Sequence, residues 1–305
     1  MNTSEHPIVI YHNDADGFGA AWALSKYLGP HIRLQASSYR PIQPSTIEGS
    51  PVYMVDVCFS RDLMLEIAER ASSLLVLDHH AKTQKLTDIP GIHYTDQYSA
   101  CVYTWHYCHP NVPVPKILEY VQDRDLWQWK MFQSKQINTY LNILPQQFGP
   151  WDAASNMSIP ELLQASVYAH QAMQHYIQTM LPFTSFTQWA GHIVPQVNAG
   201  PWFKSELLNI LASTPLRPGY QTGDRWQDFV VVPPEEGETP AFALGWHRTD
   251  YGDYKCDLRS ATNPKTGERC NVATIAEAYG GGGHLGASGF FVDKPIFGIF
   301  QRVQD

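Results

Sequence analysis

The stretch Leu74-Leu75-Val76-Leu77-Asp78-His79-His80-Ala81-Lys82-Thr83 decides how this chain is read. Four branched apolar residues, Leu74 to Leu77, form a run short enough for a buried parallel strand, and the run stops at Asp78, His79 and His80. Three polar side chains therefore stand at a strand's carboxyl end, where open α/β sheets gather their ligand sites. A carboxylate and two imidazoles suit a divalent transition metal such as Mn2+ or Zn2+. Taken alone, the triplet reads equally well as a hydrogen-bonded turn, and the remainder of the chain has to separate the two.

Two further apolar runs end in the same way. Pro7 to Tyr11 reads as a first buried strand and leads into His12-Asn13-Asp14-Ala15-Asp16-Gly17. There His12, Asp14 and Asp16 alternate, and Gly17 permits a tight turn into a helix from Phe18 to Leu28. In the plain structural reading Asp14 or Asp16 is only the N-cap of that helix. Three donors in alternation beside a helix N-terminus point instead to bound cations or a phosphate. Val52 to Val55 is the third run, closed by Asp56, a carboxylate among apolar neighbours that is costly to bury unless paired or metal-bound. Arg61 to Ser73 then reads as an amphipathic helix through Leu63, Ile67 and Ala71, so strand and helix alternate as in a parallel sheet.

Ser99 to Cys108 has the pattern of a helix whose Tyr103, Trp105 and Tyr107 belong to a core rather than to a base-stacking platform. Ile117 to Val121 leads to Gln122-Asp123-Arg124-Asp125, where either acid is a surface ion-pair partner or one more metal ligand. Residues 131–186 carry interrupted helical signals, with a helix start at Ile159-Pro160-Glu161 and an unbroken run from Leu162 to Leu181. The expected organisation is an N-terminal α/β domain over 1–130, a helical connector over 131–186, and a smaller α/β domain over 187–305.

That last domain shows strand patterns at His192–Val194, Phe229–Val232, Ala241–Trp246 and Tyr254–Leu258, with helices at Phe203–Leu211 and Val272–Tyr279. Strands Ala241–Trp246 and Tyr254–Leu258 pair as a hairpin ending at Arg259-Ser260. Gly280-Gly281-Gly282-Gly283-His284-Leu285-Gly286-Ala287-Ser288-Gly289 precedes a last strand, Phe290–Val292. So many small residues inside a domain expose backbone N–H groups that can close on an anion, with Arg259 as a planar fork and His284 as a further donor.

Composition narrows the function. The 305 residues, 44% of them hydrophobic, suffice for two cores. The 21 basic and 29 acidic side chains leave a net charge of −8, which argues against long duplex DNA as a partner and leaves room for a small anionic substrate. The five cysteines are scattered with no Cys-x-x-Cys pair, and there is no leader-like start and no apolar stretch of about 18 residues. A cytoplasmic protein with no membrane segment is expected; oligomeric state is not legible.

Taken together, these residues resemble the DHH phosphoesterase superfamily, which includes RecJ exonucleases, family II pyrophosphatases, nanoRNases and cyclic-dinucleotide phosphodiesterases. His12 to Gly17 looks like its first motif, Asp56 its second, Asp78-His79-His80 its third, and Asp123 or Asp125 its fourth. Leu258-Arg259-Ser260 and Gly281 to Gly289 look like the substrate-binding C-terminal domain of the RecJ and nanoRNase branches. The resemblance implies an active site in an interdomain cleft and two divalent ions, Mn2+ foremost, bridged by Asp56. Asp14 would serve one ion and Asp16, His79 and the fourth-motif acid the other, with His80 as a catalytic residue beside the substrate phosphate. His12, two residues before Asp14 where some branches have their histidine four before, ligates or faces the substrate. Asp123 is preferred for the fourth motif, where the acid follows the strand directly, with Asp125 as the competitor. Arg259, Ser260, Gly281, Gly282, Gly283 and His284 would hold substrate. The implied activity is a nanoRNase-like phosphodiesterase that releases mononucleotides from short oligonucleotides or linear dinucleotides. The alternatives are a pyrophosphatase or exopolyphosphatase, and a non-catalytic nucleotide-binding module.

Overall fold

The computed structural model describes residues 6–38, 40, 42–189, 192–216 and 237–294. The expected strand Phe229–Val232 lies outside the described residues. The chain divides into two compact units, Met1–Gln171 and Ala172–Asp305.

In the first unit five strands form one parallel sheet, in the order β2-β1-β3-β4-β5. They are β1 (Ile8–His12), β2 (Arg33–Ser37), β3 (Pro51–Val55), β4 (Ser73–Asp78) and β5 (Ile92–Tyr94). Each side of β1 goes into a different core, as the period of two in a strand requires. Val9 and Tyr11 pack with α1 (Ala15–Leu28), α4 (Ala100–Cys108) and α5 (Lys116–Asp125), whereas Ile8 and Ile10 pack with Met64 and Ile67 of α2 (Arg61–Arg70). Helices on both faces explain why the sequence of β1, β3 and β4 is almost uninterrupted in its apolar character. The strand order reverses between β1 and β3, and such a switch point opens a crevice at the strands' carboxyl ends. His12 ends β1, Asn13 to Asp16 follow it and Asp56 follows β3, so these side chains are delivered to that crevice by topology.

Three elements differ from expectation. Ile117–Val121 lies within helix α5 rather than in a strand, and β2 and β5 are additions to the expected strands, both short, with β2 mostly exposed. The Tyr103, Trp105, Tyr107 stripe of α4 buries Trp105 but leaves Tyr107 46% exposed. Helices α6 (Ser134–Ile143) and α7 (Phe148–Ser155) add Ile137, Leu141 and Trp151 to the first unit's core. Helix α8 (Ile159–Met180) buries Leu162 there and Met173 and Ile177 in the core of the second unit. Earlier in the chain, α3 (Ala81–Gln84) is a single turn after the Asp-His-His triplet.

The second unit is built on a mixed six-stranded sheet, β10-β11-β9-β8-β7-β6. Its strands are β6 (Ser185–Trp189), β7 (His192–Asn198), β8 (Ala243–Arg248), β9 (Tyr254–Arg259), β10 (Gly282–His284) and β11 (Ala287–Val292). Helix α10 (Val272–Glu277) covers one face with Trp246 and Leu258, and α9 (Lys204–Ser213) covers the other over Ala243. On that second face Lys204, only 5% exposed, donates to Asp257 Oδ2 at 2.5 Å, with His247 Nδ1 2.8 Å away. Burial alone would raise the Asp257 carboxyl, but Lys204 and Lys255 outweigh it and hold it below the ordinary carboxylate range. Its folded pKa being depressed, the stabilisation it supplies is complete above the unfolded carboxylate pKa and is lost as pH falls toward the folded one. Asp257→Asn leaves the Lys204 ammonium buried without its counter-charge. Thermal unfolding at neutral pH should therefore show a loss of about 3–5 kcal/mol that shrinks on acidification.

Candidate metal centre

The end of β1 is held by two helix caps. Asp14 is the N-cap of α1: its Oδ1 accepts the Gly17 N–H at 2.9 Å, and its Oδ2 lies 3.0 Å from His12 Nδ1. Gly17 has to be glycine, because a Cβ there would stand 2.2 Å from the His12 carbonyl oxygen. Asp16, 2% exposed, accepts the N–H groups of Ala100 at 2.7 Å and Cys101 at 3.0 Å, so it caps α4 rather than its own helix. The plain capping role and the role in the cluster thus coexist in the same two carboxylates.

Asp56 ends β3 with φ of 60°, a left-handed backbone that aspartate tolerates better than most residues but that still stores strain. Its N–H donates to the Leu77 carbonyl at 3.1 Å, which ties the turn to β4. The carboxylate is 1% exposed and divides its oxygens. Oδ2 faces His12 Nδ1 at 3.4 Å, and Oδ1 faces His79 Nε2 at 3.3 Å and His80 Nδ1 at 3.6 Å.

Asp78 does not share that outlook. Its Oδ1 accepts the backbone N–H groups of His79 at 2.8 Å and His80 at 3.2 Å and lies 2.8 Å from His80 Nδ1, while Oδ2 accepts the Thr83 hydroxyl. Burial would raise the Asp78 carboxyl, yet His80, His79 and Thr83 hold it well below the usual range. Asp78 is therefore the orienting residue of the triplet, and its contact favours the His80 tautomer with the proton on Nδ1.

Of the two acids on α5 it is Asp125, rather than the Asp123 preferred from sequence, that faces the cluster. On helix α5 residues two apart point about 200° away from each other, so only one can face the crevice. Asp123 turns away and is consumed by the following turn: Oδ1 accepts the Lys130 N–H at 2.9 Å and Oδ2 the Met131 N–H at 3.2 Å. Asp125 Oδ2 instead lies 3.4 Å from His79 Nε2. Asp125→Asn should abolish or greatly weaken Mn2+ binding in a calorimetric titration. Asp123→Asn should keep Mn2+ affinity and lower the melting temperature, since one backbone donor loses its partner at a cost of about 1–3 kcal/mol.

Among the described residues, the first unit by itself brings together three sets of donors compact enough for an ion: His12, Asp14 and Asp56; Asp16, His79 and Asp125; and Asp56, Asp78, His79 and His80. Within each, the donor atoms lie within 4.8 Å of one another. Asp56 Oδ1 and Asp125 Oδ2 are buried without a hydrogen bond, a cost that a bound cation removes. Protonation shows the same deficit of positive charge. Burial raises Asp16, and Asp125 and Asp56 push it further; burial likewise raises Asp125, with Asp56 and Asp14 adding to it. Burial would lower His12 and His79, but Asp14 with Asp56 drives His12 up to about 10, and Asp125, Asp56 and Asp16 drive His79 well above its ordinary value. The metal-free cluster therefore holds protons at neutral pH that a cation must displace. Calorimetric titration with Mn2+ in buffers of different ionisation enthalpy should register proton release at pH 7, and affinity should increase with pH.

The sequence-derived substrate residues of the second unit have mixed fates. Arg259 Nη2 donates to Ser205 Oγ at 2.8 Å. Ser260 is 1% exposed and structural: its N–H donates to the Gly286 carbonyl at 3.1 Å and its Oγ to the Cys270 carbonyl at 2.7 Å. Gly282, Gly283 and His284 form the edge strand β10, paired with Gly289, Ser288 and Ala287, so the glycine run is a tight hairpin, with Gly281 just before it. Arg269, which nothing in the sequence marked out, donates to the Ser260 carbonyl through Nε at 3.1 Å and Nη2 at 2.7 Å. Its guanidinium occupies the place of a side chain at Gly286, 1.8 Å from where a Cβ would stand.

No family model matches the chain. Protein R106 of Acanthamoeba polyphaga mimivirus, an uncharacterised protein, is 26% identical over 95% of this chain and 68% of its own length. Among solved structures, the DHH domain of a protein assigned to a family of ribosomal proteins matches with a TM-score of 0.56 at 13% identity, over 95% of this chain and 83% of that one. RecJ of Thermus thermophilus, in complex with Mn2+, matches with a TM-score of 0.50 at 17% identity, over 97% of this chain. This chain spans 50% of the length of that RecJ. The protein has the DHH-domain fold, a parallel-sheet α/β unit followed by a second, mixed-sheet unit.

Proposed function

We propose that this protein is a metal-dependent phosphodiesterase of the DHH superfamily that hydrolyses short oligonucleotides or linear dinucleotides to mononucleotides. The observation that carries the proposal is the divided carboxylate of Asp56, one oxygen toward His12 and the other toward His79. That arrangement supports a reading with two cations, one held among His12, Asp14 and Asp56, the other among Asp16, His79 and Asp125, with Asp56 Oδ1 3.3 Å from His79 Nε2. Mixed oxygen and imidazole donors favour Mn2+ over Mg2+. Divalent ions held by these residues would supply a water activated at neutral pH and neutralisation of charge on the phosphoryl oxygens.

The protein's own side chains do the rest. Asp56, Asp14, Asp16 and Asp125 hold charge and position at the site, with Asp14 and Asp16 fixed by the caps they make. His80 is held by Asp78 at Nδ1, which leaves Nε2 as the nitrogen that donates to a phosphoryl oxygen or protonates the leaving group. In its protonated form the ring has an Nε2–H to give while its Nδ1–H stays with Asp78. Arg259 binds a substrate phosphate as a planar fork.

A product time course with Mn2+ tests the proposal, offering linear diribonucleotides, a five-nucleotide RNA, a cyclic dinucleotide and inorganic polyphosphate. Mononucleotides from the short RNAs, with polyphosphate untouched, are expected; orthophosphate from polyphosphate alone refutes the diesterase. Asp56→Ala should lower kcat at least about 100-fold, and Asp78→Asn by about 10–100-fold with Mn2+ affinity little changed. Arg259→Ala should act mainly on KM.

A further inference from the structure

The segment Leu126-Trp127-Gln128-Trp129-Lys130-Met131-Phe132-Gln133-Ser134-Lys135 follows Asp125 directly. It carries three aromatic rings and two lysines with no acid, in a chain whose net charge is −8. Its backbone is costly to hold: Trp127, Trp129 and Gln133 sit at φ of 55°, 54° and 53°, a region that bulky side chains avoid. Several hydrogen bonds impose that shape. The Asp123 carbonyl accepts the N–H groups of Gln128 at 2.8 Å and Trp129 at 3.3 Å. The Asp123 carboxylate takes those of Lys130 and Met131, and the Tyr120 hydroxyl donates to the Phe132 carbonyl at 3.0 Å.

What is held so firmly is not core. Phe132 is 67% exposed, and Trp127 and Trp129 are only half-buried, ring to ring at 4.9 Å and 73°. Lys135 Nζ stands 5.7 Å from the Trp129 ring centroid, and the Lys130 side chain is exposed. Strained backbone that displays apolar rings gains little from burial, so its worth lies in presenting a preformed surface. Aromatic rings interleaved with cations form the surface that takes a single nucleic-acid strand, because every base has a π face to stack and every link a phosphate to pair. A duplex keeps its base faces stacked on one another and cannot use it.

We propose that Trp129 and Phe132, flanked by Lys130 and Lys135, form a stacking platform for a single-stranded oligonucleotide on the unit that carries the Asp56 centre. The proposal rests on the phosphodiesterase reading above and extends it by placing the bases of the substrate on the first unit. Asp123 becomes its positioning residue, the acid whose carboxylate shapes the loop while Asp125 faces the metals.

The test separates binding from catalysis. Fluorescein-labelled pentauridylate is titrated in EDTA and followed by anisotropy, so that no cleavage occurs. Phe132→Ala and Trp129→Ala should each weaken binding about tenfold, and Trp129→Phe, which keeps a ring, should weaken it less. Replacing Lys130 and Lys135 by Gln should reduce the slope of log affinity against log salt by about 0.7 for each lysine–phosphate pair removed. Phe132, being exposed, can be truncated without unfolding, and circular dichroism confirms this for each variant. Wild-type affinity in Phe132→Ala and Trp129→Ala, or no binding of pentauridylate by the wild type, overturns the platform. Hydrolysis of unlabelled pentauridylate with Mn2+ by the wild type is read in parallel. Hydrolysis with unaffected binding in the variants removes the platform alone. Weakened binding in the variants without any wild-type hydrolysis keeps the platform and removes the phosphodiesterase.

Discussion

Carboxylates that repel one another are the constraint on which this structure depends. Asp14, Asp16 and Asp56 converge with His12 and His79 at the carboxyl ends of parallel strands, joined by Asp125 from α5, with Asp16, Asp56 and His79 buried and the others half-buried. Like charges in a low-dielectric site are tolerable only with protons, backbone donors or cations among them. The fold supplies the backbone donors itself. The N-terminus of α1 gives Gly17 N–H to Asp14, and the N-terminus of α4 gives Ala100 and Cys101 N–H to Asp16. Helix dipoles point the right way in both cases. What these donors leave unsatisfied, Asp56 Oδ1 and Asp125 Oδ2, is the part of the site that calls for a cation.

The same constraint accounts for details that look unrelated. Asp56 accepts a left-handed backbone at the end of β3, because that turn sends its two oxygens toward histidines from different strands. Gly17 allows α1 to start against the His12 backbone, which a methyl group would block at 2.2 Å. Asp78, the first letter of the triplet that gives the site its character, is withdrawn into four contacts that fix His79 and His80. Strength at the site therefore comes from a ring of supporting hydrogen bonds, the usual means by which ligand geometry is held.

The second unit solves a different problem with similar means. Its glycine run allows β10 to close on β11, and Arg269 fills the space left at Gly286 while holding the Ser260 carbonyl. Lys204, buried on the face of the sheet, is balanced by Asp257 from the central strand β9. Polar groups here are engaged in building the sheet's surroundings, Ser260 among them, and so fewer of them are left to meet a ligand than their number in the sequence suggests.

By itself the sequence determined the alternation of strands and helices, the strands β1, β3 and β4, and the convergence of His12, Asp14, Asp16, Asp56 and the His79-His80 pair. Those conclusions rest on local facts: apolar runs of strand length, and polar residues placed at the ends of them. Only the tertiary structure showed that Asp125 rather than Asp123 faces the cluster, because that depends on which side of α5 faces the crevice, and the run Ile117–Val121 reads as strand or helix with equal ease. Only it showed Asp78 as a support, Ser260 as a buried tie and Arg269 as the residue that closes the hairpin. In each case the deciding contact joins side chain to backbone through space, and residue type and spacing along the chain carry no record of which atoms will meet.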